Sequence, residues 1–274
     1  MESNKYRGVK TLPEMTWLEV KEALEETDIV LVSVGSVENH GAHLPLDSDN
    51  LKNQEFMRRS SKKLEERGIK NVYGPMIPFG FCPNHMDFPG TITLSASTLH
   101  TVIKEVCLCL IKHGFRRVVL FVGHGGNWPT MRLVARELQD ETNARMFVVN
   151  YHTLYGPLYP EISKSARPRF GADAEWHGGD FGTSLLLTIR PDLVHMDKAQ
   201  RYFSDFMEKK KVKVGLAPTL DDWMLYNTKE FTGDYGAAGD ALCATAETGE
   251  LLLEKVTDQI VDFLEAELKR SKIR

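Results

Sequence analysis

The sequence predicts an α/β fold: a parallel-dominated central sheet with helices on both faces. Three observations carry that expectation. Ile29–Val34 and Val118–Val122 are unbroken apolar runs rich in β-branched residues, the pattern of strands buried on both faces. Amphipathic stretches of ten or more residues alternate with such runs, as in chains of βα units. Each of the two runs opens into a polar loop rich in His and Gly, and parallel sheets hold their ligands beyond the carboxyl ends of the strands.

Taken in order, Thr16–Glu26 reads as a first helix, with Trp17, Val20 and Ala23-Leu24 at helical spacing. The Ile29–Val34 strand follows. Asp49 or Asn50 is an N-cap type, and Leu51–Arg67 reads as an amphipathic helix stopped by Gly68. Val72–Ile77 is a second apolar stretch, interrupted by Pro75 and followed by Pro78. A Pro/Gly loop, Gly80–Gly90, carries Cys82, Asn84 and His85, and Thr91–Leu94 reads as a short strand. Ser97 is expected to cap a helix reaching His113, closed by Gly114. After the Val118–Val122 strand and Gly123-His124-Gly125-Gly126-Asn127, Pro129 is expected to open a helix to about Asp140. Ala144–Asn150 reads as the next strand. Residues 195–235 are the least regular part, and an amphipathic helix from about Asp240 to Lys272 closes the chain.

The bulk properties bound the function. With 274 residues, 42% of them hydrophobic, and no Pro/Gly/Ser-rich linker, residues 1–274 read as a single domain with a full core. The net charge of −4 is spread along the chain, which argues against nucleic-acid and membrane partners. No run of about 18 apolar residues exists, and the first residues lack the apolar region of a signal peptide. Cys82, Cys107, Cys109 and Cys243 have the spacing of neither a disulfide framework nor a metal knuckle, consistent with a reducing cytoplasm. Lys209–Lys211 reads as a solvated face.

The chemistry concentrates in Ser36–Asp49. Glu38, His40, His43, Asp47 and Asp49 fall in one loop directly after a strand, and imidazole and carboxylate donors converging at a strand end suit a divalent metal. Glu38 and His40 are two apart, so an extended segment turns both to one side. His124 lies in a Gly-rich strand-to-helix turn, and this loop and the first can meet in one pocket. His177 stands beside Glu175, Trp176 and Asp180; a histidine among carboxylates can move protons near neutral pH. His85 is a candidate lining residue, and Trp128 and Trp176 flank the proposed site as aromatic walls or as core. His100, His113, His152 and His195 read as structural or surface residues. With no G-x-S-x-G elbow and no cysteine in a reactive setting, a metal-activated water is the simplest nucleophile.

Gly35–Asp49, Phe88–Leu94, Gly123–Asn127, His177–Ser184, Gly239-Asp240 and Ala244–Gly249 together resemble the signature of the creatininase family of metal hydrolases, in order and over nearly the whole chain. The resemblance implies a three-layer α/β/α fold, one or two divalent ions of Zn, Mn or Fe per chain, and a homo-oligomer, frequently a hexamer. It implies Glu38, His40, Asp49 and His124 as metal ligands, Asp49 being the bridging carboxylate, and His177 in proton transfer. The chain departs from the family pattern at Gly126 and Gly182, where relatives carry a glutamate. Either a second metal site is absent, or Glu175 or Asp180 replaces that carboxylate. The departures argue against creatinine itself as substrate.

The expected function is therefore metal-dependent hydrolysis of a cyclic amide or amide C–N bond in a small polar cyclic metabolite. His177 and Glu175 are the catalytic pair, and His85, Trp128, Trp176 and Asp180 are substrate contacts. One alternative is hydrolytic C–C opening of an oxidised inositol ring. Another is a metal-bearing binding protein without turnover. Residues 195–235 are the expected specificity or oligomer-contact element.

Overall fold

The protein was analysed as a computed structural model that describes residues 10–162, 175–203 and 227–271. Four strands form the central sheet: β1 (Ile29–Val34), β2 (Val72–Ile77), β3 (Arg117–Val122) and β4 (Arg145–Val149). Their order is β2-β1-β3-β4 and every pairing is parallel. The order runs one way from β1 to β2 and the other way from β1 to β3, so the crevice between β1 and β3 is the switch point where such folds bind ligands.

Alternation along β1 and β3 creates two cores. Ile29, Leu31, Val119 and Phe121 face α2 (Ser48–Glu66), α5 (His152–Ile162), α6 (Asp180–Ile189) and α7 (Ala246–Arg270). Val30, Val32, Val34, Val118, Leu120 and Val122 face α3 (Ala96–His113) and α4 (Trp128–Glu141), with α1 (Trp17–Glu26) at the margin of the same layer. Continuous apolar runs and a period-two division between faces are two readings of one pattern, because both faces are covered.

Several boundaries differ from expectation, each for a local reason. The turn at Pro45 closes early, with Ser48 N donating to Pro45 O at 3.2 Å, so α2 starts at Ser48 with Asp47 as N-cap. Asp49 is thus inside the first turn rather than capping it, where the helix N-terminus favours its charge. Ser95, in extended conformation, caps α3 by accepting from Thr98 N at 3.1 Å; Ser97 already lies within the helix. Thr91–Leu94 forms isolated bridges, Ile92 to Val37 and Thr93 to Gly80, not a strand. The last helix begins at Ala246, capped by Thr245, because Ala238–Asp240 pairs as a strand instead.

That pairing belongs to a small second sheet. β5 (Glu175–His177), β6 (Arg201–Tyr202) and β7 (Ala238–Asp240) form an antiparallel sheet in the order β5-β7-β6. Gly178 leaves β5 at φ +65°, and a Cβ there would stand 2.5 Å from the carbonyl oxygen of His40. This glycine therefore lets the end of β5 close onto the loop after β1. Of the irregular 195–235 stretch, 204–226 lies outside the described residues, as do Lys209–Lys211. No helix among the described residues is long and apolar enough to cross a membrane.

Candidate active site

The site is built on strand register. Val34 pairs with Val122, so β1 and β3 end in step and their loops leave the sheet at one level. Asn127 ties those loops together: its Nδ2 donates to Gly35 O at 2.9 Å, and its Oδ1 accepts from Phe81 N at 2.9 Å. The loops after β1, β2 and β3 are thereby fixed to one side chain.

Glu38, His40, Asp49, His85 and His124 converge there, all buried. His177 arrives from β5, its ring 4.5 Å from that of His40 and 4.8 Å from that of His85. Two groups of donors result: Glu38, Asp49 and His124, and Glu38, His40 and His177. Asp49 reaches towards both, with Oδ2 3.3 Å from His124 Nδ1 and Oδ1 3.0 Å from His40 Nε2.

Main-chain carbonyls set the histidine tautomers. His40 Nδ1 lies 3.3 Å from Glu38 O, His124 Nε2 3.2 Å from Phe81 O, and His177 Nε2 2.6 Å from Asn39 O. A carbonyl only accepts, so each of these nitrogens carries a proton, and on a neutral ring the opposite nitrogen is a lone pair free to bind a cation. His124 Nδ1 then faces Glu38 Oε2 at 2.9 Å, and His40 Nε2 faces Asp49 Oδ1. Approaches this close need a positive charge between the pair, either a ring proton or a metal ion. Glu38 Oε2 is also buried without a hydrogen-bond partner among the described residues. A divalent cation fits this donor set of imidazole and carboxylate.

The electrostatics state the same demand. Burial alone would lower the His124 pKa, but Glu38 and Asp49 outweigh it and push it up to about 10. Burial alone would raise both carboxylates; His124 and His85 hold Glu38 below its ordinary range, and Lys52 and His40 hold Asp49 well below. Burial, reinforced by His40 and His85, keeps His177 well below the usual imidazole value.

His43 and Asp47 do not join these donors. His43 Nε2–H donates to Thr183 Oγ1 at 2.9 Å, Thr183 donates on to Gly178 O, and Tyr235 O–H donates to His43 Nδ1 at 2.9 Å. His43 therefore braces the β1 loop against α6 and the β7 region. Asp47 accepts from Asn50 Nδ2 at 2.7 Å. Asp180 is fully buried at the start of α6 and accepts from Ser184 Oγ at 3.2 Å. Trp128 packs on the α3/α4 core, with Arg132 Cζ 5.4 Å from its ring centroid. The side chains of Glu175 and Trp176 lie outside the described residues, although β5 carries their backbone.

Two residues of the site were not foreseen, Lys52 and Asn39, while His152 is structural as expected. Lys52 is buried and places Nζ 2.9 Å from Asp49 Oδ1; the three-residue spacing on one helix was the available signal. His152 is held by Gly123 O at 3.1 Å, and Asn39 supplies the carbonyl for His177 while its Nδ2 donates to Gly236 O at 2.5 Å.

A family model for creatininase, described as creatinine amidohydrolase, matches residues 13–264. The chain belongs to the creatininase family. It is 30% identical to a creatinine amidohydrolase of Pseudomonas putida over 274 residues, covering 93% of this chain and 95% of that one. It is 29% identical to a mycofactocin precursor peptide peptidase of Mycobacterium ulcerans, covering 95% and 94%. Against a 3-dehydro-scyllo-inosose hydrolase of Thermotoga maritima it is 29% identical over 192 residues, covering 68% of this chain and 58% of the relative. A solved mutant creatininase of Zn-Zn type superposes with a TM-score of 0.69 at 28% identity, covering 94% and 97%. The creatininase fold, three layers with a parallel sheet at the centre, is the one described above. As a creatininase-family member the chain is a hydrolase.

Gly126 leaves no room for a side chain in the β3 turn. A Cβ there would lie 2.5 Å from both His124 Nε2 and Phe81 O, across the hydrogen bond that orients His124. Gly126→Ala is expected to cost about 2 kcal/mol by crowding a packed interior and to weaken metal retention. Thermal melting and metal analysis check this, and an unchanged melting temperature would contradict it.

The buried neutral histidines set an acid limit. Burial is the main cause holding His43, His85 and His152 down to about 4, against an ordinary value of 6.5. Between those values the unfolded chain binds protons that the folded chain refuses. Their stabilisation is complete above about pH 6.5 and is lost as pH falls towards 4, by up to roughly 3 kcal/mol per residue. His124, with its raised value, acts in the opposite sense as pH rises from 6.5 towards 10. Melting of chelator-treated protein from pH 8 to 4.5 should show the acid loss; a flat profile below pH 6.5 would refute it.

Proposed function

We propose that this creatininase-family chain is a metal-dependent hydrolase that cleaves a cyclic amide, or another amide C–N bond, in a small polar metabolite. The observation that carries the reading is the buried convergence of His124 and His40 ring nitrogens on the carboxylate oxygens of Glu38 and Asp49, the donor set of a divalent ion. Glu38, Asp49 and His124 would hold the metal, Zn, Mn or Fe, with His40 beside them on Asp49. When bound, a divalent ion supplies Lewis acidity, polarising a carbonyl and acidifying water.

The chain's own residues supply the rest. His177 is neutral at pH 7 and its Nε2–H is committed to Asn39 O, so Nδ1 is the atom that accepts a proton from the attacking water and returns it to the leaving nitrogen. Glu175 assists from the same strand. His85 is buried 3.5 Å from Glu38 Oε1, and its Nδ1 has no partner among the described residues, which suits a contact to a polar substrate atom. The relatives named as an amidohydrolase and a peptidase support C–N cleavage. A homo-oligomer in solution, up to a hexamer, is the proposed assembly, and it would cover exposed apolar side chains such as Trp17 and Phe263.

The second reading, hydrolytic opening of an oxidised inositol ring, is favoured by Gly126, which removes a carboxylate from the centre, and by the inosose hydrolase among the relatives. Turnover assays of metal-loaded protein on cyclic amides, formamides, short peptides and oxidised inositols separate the two. Amide turnover supports the first reading. Turnover of the inositol series alone replaces it with the second.

A further inference from the structure

We propose that Lys52 supplies the second positive charge of the centre, so that the chain holds one divalent ion rather than two. This rests on the metal-dependent reading above and deepens it. Lys52 sits one helical turn after Asp49, buried, with Nζ 2.9 Å from Asp49 Oδ1. The same oxygen is 3.0 Å from His40 Nε2. The ammonium therefore stands on the half of Asp49 that faces the Glu38–His40–His177 group, while the other half, Oδ2, faces His124.

Charge decides how many ions such a pocket retains. Among the described side chains the two donor groups contain two carboxylates, Glu38 and Asp49. One divalent ion among Glu38, Asp49 and His124 cancels both, and Lys52 already leaves the buried site one charge positive. A second divalent ion beside His40 would leave it three charges positive, out of water and next to an ammonium, which burial penalises heavily. The α4 side offers no further carboxylate, since a side chain at Gly126 would collide with His124 and Phe81. A solved creatininase mutant of Zn-Zn type shows that this fold accommodates two ions, so the difference lies in this chain's residues.

Metal stoichiometry tests the assignment without reference to turnover. Purified protein is loaded with excess zinc, desalted, and its zinc measured per folded chain by mass spectrometry. Wild-type protein and Lys52→Arg should each retain about one ion. Lys52→Glu, which reverses the charge and adds a carboxylate at the same place, should retain about two, its second ion binding at least about a hundredfold tighter than to wild type. Two ions in the wild type overturn the inference while leaving the metal-dependent reading intact, as does a folded Lys52→Glu protein that still holds one. No zinc in the wild type overturns both. If Lys52→Glu fails to fold, the wild-type count alone decides.

Discussion

Asp49→Asn is expected to strip the centre of its metal and reduce kcat/KM by at least about 10⁴-fold, which at 1.36 kcal/mol per decade is roughly 5.5 kcal/mol of lost transition-state stabilisation. Asp49 places Oδ1 3.0 Å from His40 Nε2 and Oδ2 3.3 Å from His124 Nδ1, so its loss removes a charged donor from both sides of the centre. The change has a second consequence. Lys52 loses the carboxylate opposite its buried ammonium, and breaking such a pair costs about 3 kcal/mol of stability. Metal analysis, kinetics and thermal melting on one preparation separate the effects. A folded variant that retains metal and activity would refute the placement of Asp49 at the centre.

His177→Ala is expected to lower kcat by about 10²–10⁴-fold, the usual contribution of a positioned proton-transfer group, while tightly bound metal stays. The split follows from position. His177 comes from the small antiparallel sheet, whereas Glu38, Asp49 and His124 sit on loops and a helix of the main sheet. Because burial and its histidine neighbours depress its pKa, the acid limb of the rate profile should fall below the ordinary imidazole value of 6.5, and the limb should vanish in the variant. Loss of metal together with kcat would make His177 a ligand instead; an unaltered kcat would remove it from the chemistry.

The main architecture was legible because it rests on local pattern. Ile29–Val34 and Val118–Val122 are apolar on both faces, and only strands covered on two sides need that. Glu38, His40, Asp49 and His124 stood out because they follow those strands directly, and strand ends in step bring such loops together. What escaped was non-local or ambiguous in one dimension. β5 and β7 have three residues each, too few for a period, and their partners, Glu175 with Gly239 and His177 with Ala238, are far apart in sequence. Lys52 reads on a helix like any solvated lysine; its burial beside Asp49 is a product of tertiary packing. His43 carries the same residue type as its ligand-like neighbour His40, and its bracing role depends on Thr183 and Tyr235, both far away in sequence. The cap at Ser95 was missed by two residues because Ser97 and Thr98 offer equally good hydroxyls, and the backbone conformation chooses among them.

The three carbonyl-bound ring protons, on His40, His124 and His177, also make the centre observable by magnetic resonance. Protons held in buried hydrogen bonds leave only when the surrounding structure opens. Each should therefore give a slowly exchanging signal far downfield of the backbone amides, in a region nearly empty in a chain with nine histidines. Titrating in a diamagnetic ion such as zinc would then show, signal by signal, which side of the crevice fills first.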